Sequence, residues 1–493
     1  MGGKYILGID QSTQGTKALI FDNRGKLIVR YDVPHRQIIV NNNWVEHSPD
    51  EIYQNTLNAV RLVIEKSGIN KNDIAGVGIS NQRETAMAWS KITGKPIYNA
   101  IVWQCSRAEK ICEKIAEKGY ADLIKKNTGL HLSPYFSAGK IKWILDNAEE
   151  AKKLTETKKL CVGTMDSWLV YKLTGGEVFK TDFSNASRTQ LFNIYEQKWD
   201  EKICEIFGID IDSLPEVCDS DSLFGYTDFN GYLNNKIPIH SVLGDSHGAL
   251  FGQGCLKKGM IKATYGTGSS VMINTGENPI TNASGLVTSI GWKMNGLINY
   301  VVEGNINYTG AVIRWLKEDL KLIQSAKEVE ALAKSANPHD TTYLVPAFSG
   351  LGAPYWNSTA KALLCGMTRG TGKAEIVKAA EECIAYQIAD IVNAVKENSS
   401  FEIKELRADG GPSKDGYLMQ FQSDILNIDI SVPDTEELSG LGAAYAAGIA
   451  LGVYSLDGIF DSIERKTFRP LINNHKRRSL YTGWKNAVKM ANT

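Results

Sequence analysis

The chain has 493 residues, with 55 Lys+Arg balanced by 55 Asp+Glu and a formal net charge of zero. This is too long for one ordinary core: at roughly 150 to 250 residues per domain it predicts two large domains, hence a cleft, or three smaller ones. The balanced charge argues against nucleic-acid or membrane-surface partners recruited by bulk electrostatics, so an anionic ligand would be held by backbone N–H groups, a Mg2+ ion and a few placed cations.

The N-terminus reads KYILGID, an apolar run ending in a carboxylate, then QSTQGTK, then ALIFDNRGKLI returning through an NRG turn. This predicts a β-hairpin series whose first turn is rich in Gly, Ser and Thr. A helix over Asp50 to Ser67 and a strand over Ile74 to Ser80 follow, then helices over Ser106 to Lys126 and Ser137 to Leu154 and a strand over Ile237 to Leu243. The opening pattern recurs as GMIKAT, YGTGSS and VMINTG, about 255 residues on, which suggests two related domains. Helices near Ala311 to Leu322 and Lys373 to Asn398, a strand near Ile403 to Ala408 and a small-residue stretch from Ser439 to Leu456 complete the second half. That stretch has the length of a membrane span but is loaded with Gly and Ala, which fits a tightly packed helix inside a domain. Mixed α/β layers are expected in both halves, with the boundary near Gln253, giving domains 1–252 and 253–493.

Eight cysteines without C-x-x-C spacing, and no charged-then-apolar leader, predict a reducing, cytoplasmic protein. The Met-Gly-Gly start is no myristoylation signal, because Ile6 stands where that motif needs Ser or Thr.

No G-x-x-x-x-G-K-[ST] loop occurs; GTGK at Gly370 is only a fragment, and GLGAAYAAG at Gly440 follows an acidic stretch instead of a dinucleotide-binding strand. Phosphates would instead be held by the two hairpin turns, with Thr13, Gln14, Gly15 and Lys17 on one side and Gly266, Thr267 and Gly268 on the other. Asp10 at its strand end would hold Mg2+ through water. Taken singly, each turn is better explained as plain hairpin chemistry; the pair together with Asp10 points to phosphate binding. GISNQRET presents Arg83 and Glu84 together, donors and acceptors that match adjacent hydroxyls, or else a surface ion pair. IPIHSVLGD ends in Asp245, placed either to accept a proton from an attacking hydroxyl or to cap the next helix. His247 is read as a supporting group, Trp103 and Tyr135 as pocket walls or core, and LRADGG as a place for a nucleotide base against bare backbone.

Together, GIDQST, WVEHSPDEI, GISNQRET, GKPIYNAIVWQC, YFSAGKIKWILDN, TNASRTQLFNI, YGTGSS, PAFSGLGAPYW, ADGG and GLGAAYAAG resemble, nearly end to end, the FGGY carbohydrate kinases and among them the glycerol kinases. The resemblance implies two actin-like, ribonuclease-H-like domains closing on ATP and Mg2+, and transfer of phosphate to a terminal hydroxyl of a small polyol, glycerol first, as homodimer or homotetramer. It implies Asp245 as catalytic base, Arg83, Glu84, Trp103 and Tyr135 as polyol pocket, and Asp10 as metal-linked acid. Thr13, Gln14, Gly15, Lys17, Thr267, Gly310 and Gly411 fall on its nucleotide positions. The departures are Ser246 for a usual glutamine and Ser270 for a usual phenylalanine, which predict a wider, more polar pocket and keep erythritol, xylulose or ribulose open as substrates. Glu381 replaces an apolar residue, while Lys17, Arg314 and Asp415 replace Arg, Gln and Asn near the nucleotide. The loop Asp228 to Lys236 lacks both the bisphosphate-binding pattern and the phosphorylated histidine of some relatives, so neither control is expected. An actin- or chaperone-like ATPase without a small-molecule acceptor is the rival from another class.

Overall fold

A computed structural model describes residues 4–41, 43–283, 285–399 and 401–492; the Met-Gly-Gly start lies outside them. The chain forms two compact units, one comprising Met1–Gly254, Thr288–Tyr300 and Glu437–Ser462, the other Cys255–Val287, Val301–Glu436 and Ile463–Thr493.

In the first unit a sheet runs Leu223–Thr227, Ile237–Gly244, Ile74–Asn81, Tyr5–Gln11, Gly15–Phe21, Leu27–Pro34. The first three strands from the N-terminus form an antiparallel meander. Ile74–Asn81 then lies parallel to Tyr5–Gln11, and Ile237–Gly244 parallel to Ile74–Asn81. Such central strands are covered on both faces and so read as near-continuous apolar runs, as IAGVGISN does. Leu7, Ile9, Val77, Ile79, Trp89 and Trp168 share the core. Helix Pro49–Ser67 starts where Ser48 accepts the Glu51 N–H, with Pro49 in its first turn and Asp50 and Glu51 facing the positive helix end.

Of a seven-stranded sheet, the second unit holds, in order, Leu297–Ile306 from Val301 onward, Ser269–Gly276, Met260–Tyr265, Glu405–Asp409, Asp429–Pro433 and Arg465–Phe468. Met260–Tyr265 and Ser269–Gly276 form an antiparallel hairpin, the next two strands are parallel additions, and the edge strand is antiparallel. This is the plan of the first sheet again, as the repeated hairpin predicts. Helix Lys373–Glu397 presents Val377, Ile384, Ile388 and Ile391 to this core.

Several helices are shorter than the sequence predicts, each for a local reason. Ser106 to Lys126 resolves into Glu109–Glu117 and Ala121–Thr128, separated by a turn in which Gly119 and Tyr120 donate back to Ala116 and Ile115. Ser137 to Leu154 resolves into Ser137–Asn147 and Ala151–Glu156. The helix expected to reach Leu322 is Gly310–Glu318, since Leu320 and Leu322 donate back to Trp315 and Leu316. The small-residue stretch is a buried helix, Leu438–Ala450, reversed beyond its end by Val453 and Tyr454 donating to the Gly448 carbonyl. Its composition is a packing requirement: a Cβ on Gly442 would sit 1.9 Å from the Gly248 carbonyl oxygen, so the two backbones meet without side chains between them. Among the described residues no helix is long and apolar enough to cross a membrane.

Candidate active site

In the first unit the strand ends Tyr5–Gln11, Ile74–Asn81 and Ile237–Gly244 deliver Asp10, the Arg83–Glu84 pair and Asp245 to one edge of the sheet, where ligands of open α/β sheets gather. Asp10 is 7 % exposed and accepts from Ser80 Oγ at 3.1 Å. Burial pushes its carboxyl up to about 6, with Lys17 opposing and Asp245 adding to the rise. Asp10 and Lys17 are cross-strand partners in the hairpin. Burial works against the Lys17 ammonium, but Asp10 and Glu437 raise its pKa overall, and Glu437 Oε2 lies 2.8 Å from Nζ. Arg30 also bonds Glu437.

The turn is closed by Ser12, whose N–H and hydroxyl both donate to the Gly15 carbonyl, at 2.8 and 3.0 Å. His35 ties down the far side, bonding the Thr13 carbonyl at 2.9 Å through Nε2 and the Gln14 carbonyl through its backbone N–H. Trp103 Nε1 donates to Thr13 Oγ1 at 2.9 Å and meets Tyr135 edge-on, with ring centroids 5.6 Å apart. The proposed pocket wall and the proposed phosphate turn are therefore one hydrogen-bonded assembly.

Arg83 is no surface pair. It is buried, its Nε lies 3.2 Å from Asp245 Oδ1 and 3.9 Å from Glu84 Oε1, and Glu84 is gripped from behind by Arg188 Nε at 2.5 Å. Glu84 has φ +59°, a left-handed conformation that costs a non-glycine residue about 1 kcal/mol. Ser137 Oγ donates to the Glu84 carbonyl at 3.1 Å, and buried Lys140 bonds the carbonyls of Tyr135 and Phe136. Burial lowers the Lys140 ammonium to about 7 while Glu84 pulls it upward.

Asp245 opens helix Asp245–Gly252, but the capping residue is Gly244, with no side-chain cap bond. Its Oδ1 accepts the adjacent Ser246 N–H at 2.6 Å, and its side chain is 34 % exposed. Position alone suggests an N-cap; the geometry shows a half-exposed carboxylate steered by Arg83. His247 is buried behind it against Ser289 Oγ at 3.4 Å, a supporting place.

In the second unit the YGTGSS turn is exposed at Gly266 and Thr267. Their carbonyls accept the N–H groups of Thr309, Gly310 and Ala311, so the turn is sewn to the start of helix Gly310–Glu318, which carries exposed Arg314 one turn on. A Cβ on Gly268 would lie 2.3 Å from the Ile306 carbonyl oxygen, so only glycine lets the turn approach the neighbouring strand. The LRADGG segment ends beside this turn, because Gly410 packs against the Tyr265 carbonyl, and Gly411 is exposed. Asp415 caps helix Gly416–Leu426, its Oδ1 accepting the N–H groups of Tyr417 and Leu418 at 2.9 and 3.2 Å. Ser270 Oγ donates to buried Glu303 at 3.2 Å.

The sequence reading missed Arg188, Lys140, His35 and Glu437, which orient these groups. Only a buried position for a charged residue would have flagged them, and the strings TNASRTQ and SAGKIKW give no burial signal of their own.

The model of the N-terminal domain of the FGGY family of carbohydrate kinases matches residues 5–252, and that of the C-terminal domain residues 261–451. "Glycerol kinase 1" of Thermotoga maritima is 51 % identical over 487 residues, covering 98 % of this chain and 99 % of that one. The glycerol kinase of Caldanaerobacter subterraneus is 45 % identical over 491 residues, covering 99 % and 98 %. Among solved structures, Plasmodium falciparum glycerol kinase with ADP superimposes with a TM-score of 0.94 at 37 % identity, covering 100 % of this chain and 99 % of that one. A xylulose kinase from Lactobacillus acidophilus, at 20 % identity and a TM-score of 0.88 over 99 % and 97 %, shares the fold. Two family domains in tandem and identity sustained from end to end identify the two-domain actin-like architecture, and the chain belongs to the FGGY family of carbohydrate kinases, phosphotransferases with an alcohol group as acceptor.

Proposed function

We propose that this kinase moves the γ-phosphate of ATP onto a terminal hydroxyl of glycerol, giving sn-glycerol 3-phosphate. The observation that carries the reading is the triad of Asp245, Arg83 and Glu84, with Arg83 Nε 3.2 Å from the carboxylate that would take the proton. The names of the relatives point to glycerol. Arg83 and Glu84 would bind adjacent hydroxyls as donor and acceptor, while the Trp103 and Tyr135 rings cover the carbon chain. Asp245 would orient the primary hydroxyl and accept its proton during attack. Lys17 and the turn residues Thr13, Gln14 and Gly15 would bind the transferred phosphate, and Thr267, Gly310, Arg314, Gly411 and Asp415 the nucleotide.

The donor set suits Mg2+: Asp10 is a hard oxygen ligand beside the Ser80 hydroxyl, and one or two carboxylates suffice for a cation that keeps most of its water. When bound, Mg2+ supplies charge neutralisation on the phosphates. We further propose residues 1–252, with the later segments Thr288–Tyr300 and Glu437–Ser462 that join their unit, as the polyol and phosphate domain and the rest of 253–493 as the nucleotide domain, a cytoplasmic location and a homo-oligomer.

A second reading, a larger polyol or ketose, is favoured by Ser246 and by Ser270, whose hydroxyl is engaged by Glu303. ATP-dependent phosphorylation of glycerol, erythritol, D-xylulose, D-ribulose and L-ribulose decides between them, with Asp245→Asn as control. Glycerol should give by far the highest kcat/KM; a longer substrate in first place assigns the serines to changed specificity, and no turnover above background ATPase overturns the reading.

A further inference from the structure

Helix Lys373–Glu397 carries an acid with no donor. Glu381 is 1 % exposed, and among the described residues neither carboxyl oxygen receives a hydrogen bond. One turn away on either side its helix presents Val377 and Ala385, both buried. The charged groups facing it are Asp415 ahead of helix Gly416–Leu426, Glu330 and Lys334 from helix Val329–Ser335, and its own neighbour Glu382. Lys334 is engaged by Glu330 at 2.6 Å. Glu382 takes the Tyr417 hydroxyl at 2.6 Å and lies 3.8 Å from Lys378. What remains to Glu381 is Asp415: Tyr417, two residues on, reaches the neighbouring Glu382 at 2.6 Å, which lays the start of helix Gly416–Leu426 against this turn and sets Asp415 beside Glu381.

Asp415 already acts as an acceptor, holding two backbone N–H groups as helix cap. A buried carboxylate beside a half-buried one is repelled by it, so the stable arrangement places a proton between them, and Glu381 is the buried member, without the backbone bonds that Asp415 holds. Burial, then Asp415, push the Glu381 carboxyl up to about 10, so it is an O–H donor at neutral pH. A lone buried acid is usually less stable than a hydrocarbon of its size. Its place beside Asp415, one of the residues assigned above to the nucleotide, supplies a reason for it.

We propose that Glu381 is a positioning residue for the nucleotide: its carboxyl O–H donates to Asp415, and the two acids act as one hydrogen-bonded pair that fixes the orientation in which Asp415 meets the base. The proposal rests on the nucleotide reading of Asp415. It joins Glu381 and Asp415, two positions at which the sequence resemblance implies a departure, into a single coupled pair.

The test is a double-mutant cycle on the full-length enzyme, with KM for ATP, kcat and melting temperature measured for Glu381→Leu, Glu381→Gln, Asp415→Asn, Asp415→Ala and the double variant Glu381→Leu/Asp415→Asn. Glu381→Leu should raise KM for ATP about five- to tenfold at unchanged kcat, because a hydrogen bond to a charged group is lost. Glu381→Gln keeps a donor and should rescue KM to within about twofold, and Asp415→Asn added to Glu381→Leu should do the same, which is the coupling the pair requires. In the wild type KM for ATP should climb above about pH 9 as Glu381 ionises, and in Glu381→Gln it should not. Should Glu381→Leu fail to fold, that difference in pH profile decides. If Asp415→Ala raises KM for ATP while no Glu381 variant does, the pair is overturned and the nucleotide reading stands; if Asp415→Ala also leaves KM unchanged, the nucleotide reading of Asp415 falls and takes the proposal with it.

Discussion

The hairpin that opens each sheet is built on one plan and filled with different chemistry. In the first, Asp10 pairs across the strands with Lys17; at the matching place in the second, Thr264 pairs with Ser270. The first turn holds buried charge, with a carboxyl pushed up to about 6 and a cation anchored by Glu437. The second is neutral, exposed at its tip and sewn by backbone bonds to the helix behind it. A repeated backbone thus sets where the two turns stand, and the flanking pair sets their charge; on the proposed function the charged turn serves the reacting groups and the neutral one grips the nucleotide. If that division is right, losses in the charged unit should appear in kcat and losses in the neutral turn in KM.

The sharpest test is Asp245→Asn, expected to lower kcat about 10³-fold with the melting temperature little changed, as removal of a general base does. An effect below about tenfold would take the proton-accepting role from Asp245.

Asp10→Asn should lower kcat/KM about 100-fold, the loss of one preorganised electrostatic group. In the wild type the same activity should fall as pH drops through about 6, where Asp10 takes up a proton. The sign for stability is opposite: a carboxyl raised from 3.8 to about 6 in the folded state stabilises the fold when protonated, fully below the unfolded value, and that contribution is lost as pH rises through about 6. The ionised group therefore costs up to about 3 kcal/mol in the metal-free protein at pH 8. Asp10→Asn should melt higher than wild type at pH 8 and the same at pH 4, checked by calorimetry; a lower melting temperature at pH 8 would show that Ser80 and Lys17 outweigh burial.

In the neutral hairpin, Thr267→Ala should raise KM for ATP about three- to tenfold and leave kcat within about twofold, the pattern of an interaction equal in ground and transition states. A matching fall in kcat would erase the contrast between the hairpins. Smallest of all, Ser270→Ala should cost about 1 kcal/mol of stability by leaving Glu303 short of one donor, measured by denaturant midpoint.

Much of this was legible in the chain. Strand-turn-strand periodicity located both hairpins, and the apolar run of IAGVGISN marked a central strand covered on both faces. The candidate residues Asp10, Arg83 and Asp245 stood out because each follows such a run. Their relations did not. As a sequence step, Arg83-Glu84 is indistinguishable from a surface pair; only burial, the φ of Glu84 and the approach of Arg188, 104 residues away, separate the two. Asp245 looked like a helix cap because acids at helix starts usually are; the chain enters that helix one residue earlier, at Gly244. Helix ends were misread wherever the stop is a backbone bond, as at Leu320 and Tyr454, since main-chain reversals leave little trace in side-chain pattern.

What is local or repeated could be read from the chain alone: the order of strands and helices, the turn chemistry and the motifs of the family, because backbone preference and apolar period act over a few residues. What depends on distant partners came only with the folded molecule: that Glu437–Ser462 belongs with the first unit, that Lys17 finds Glu437, and that Glu381 faces Asp415. Burial and charge pairing are properties of the folded neighbourhood, and no short window of the chain contains that neighbourhood.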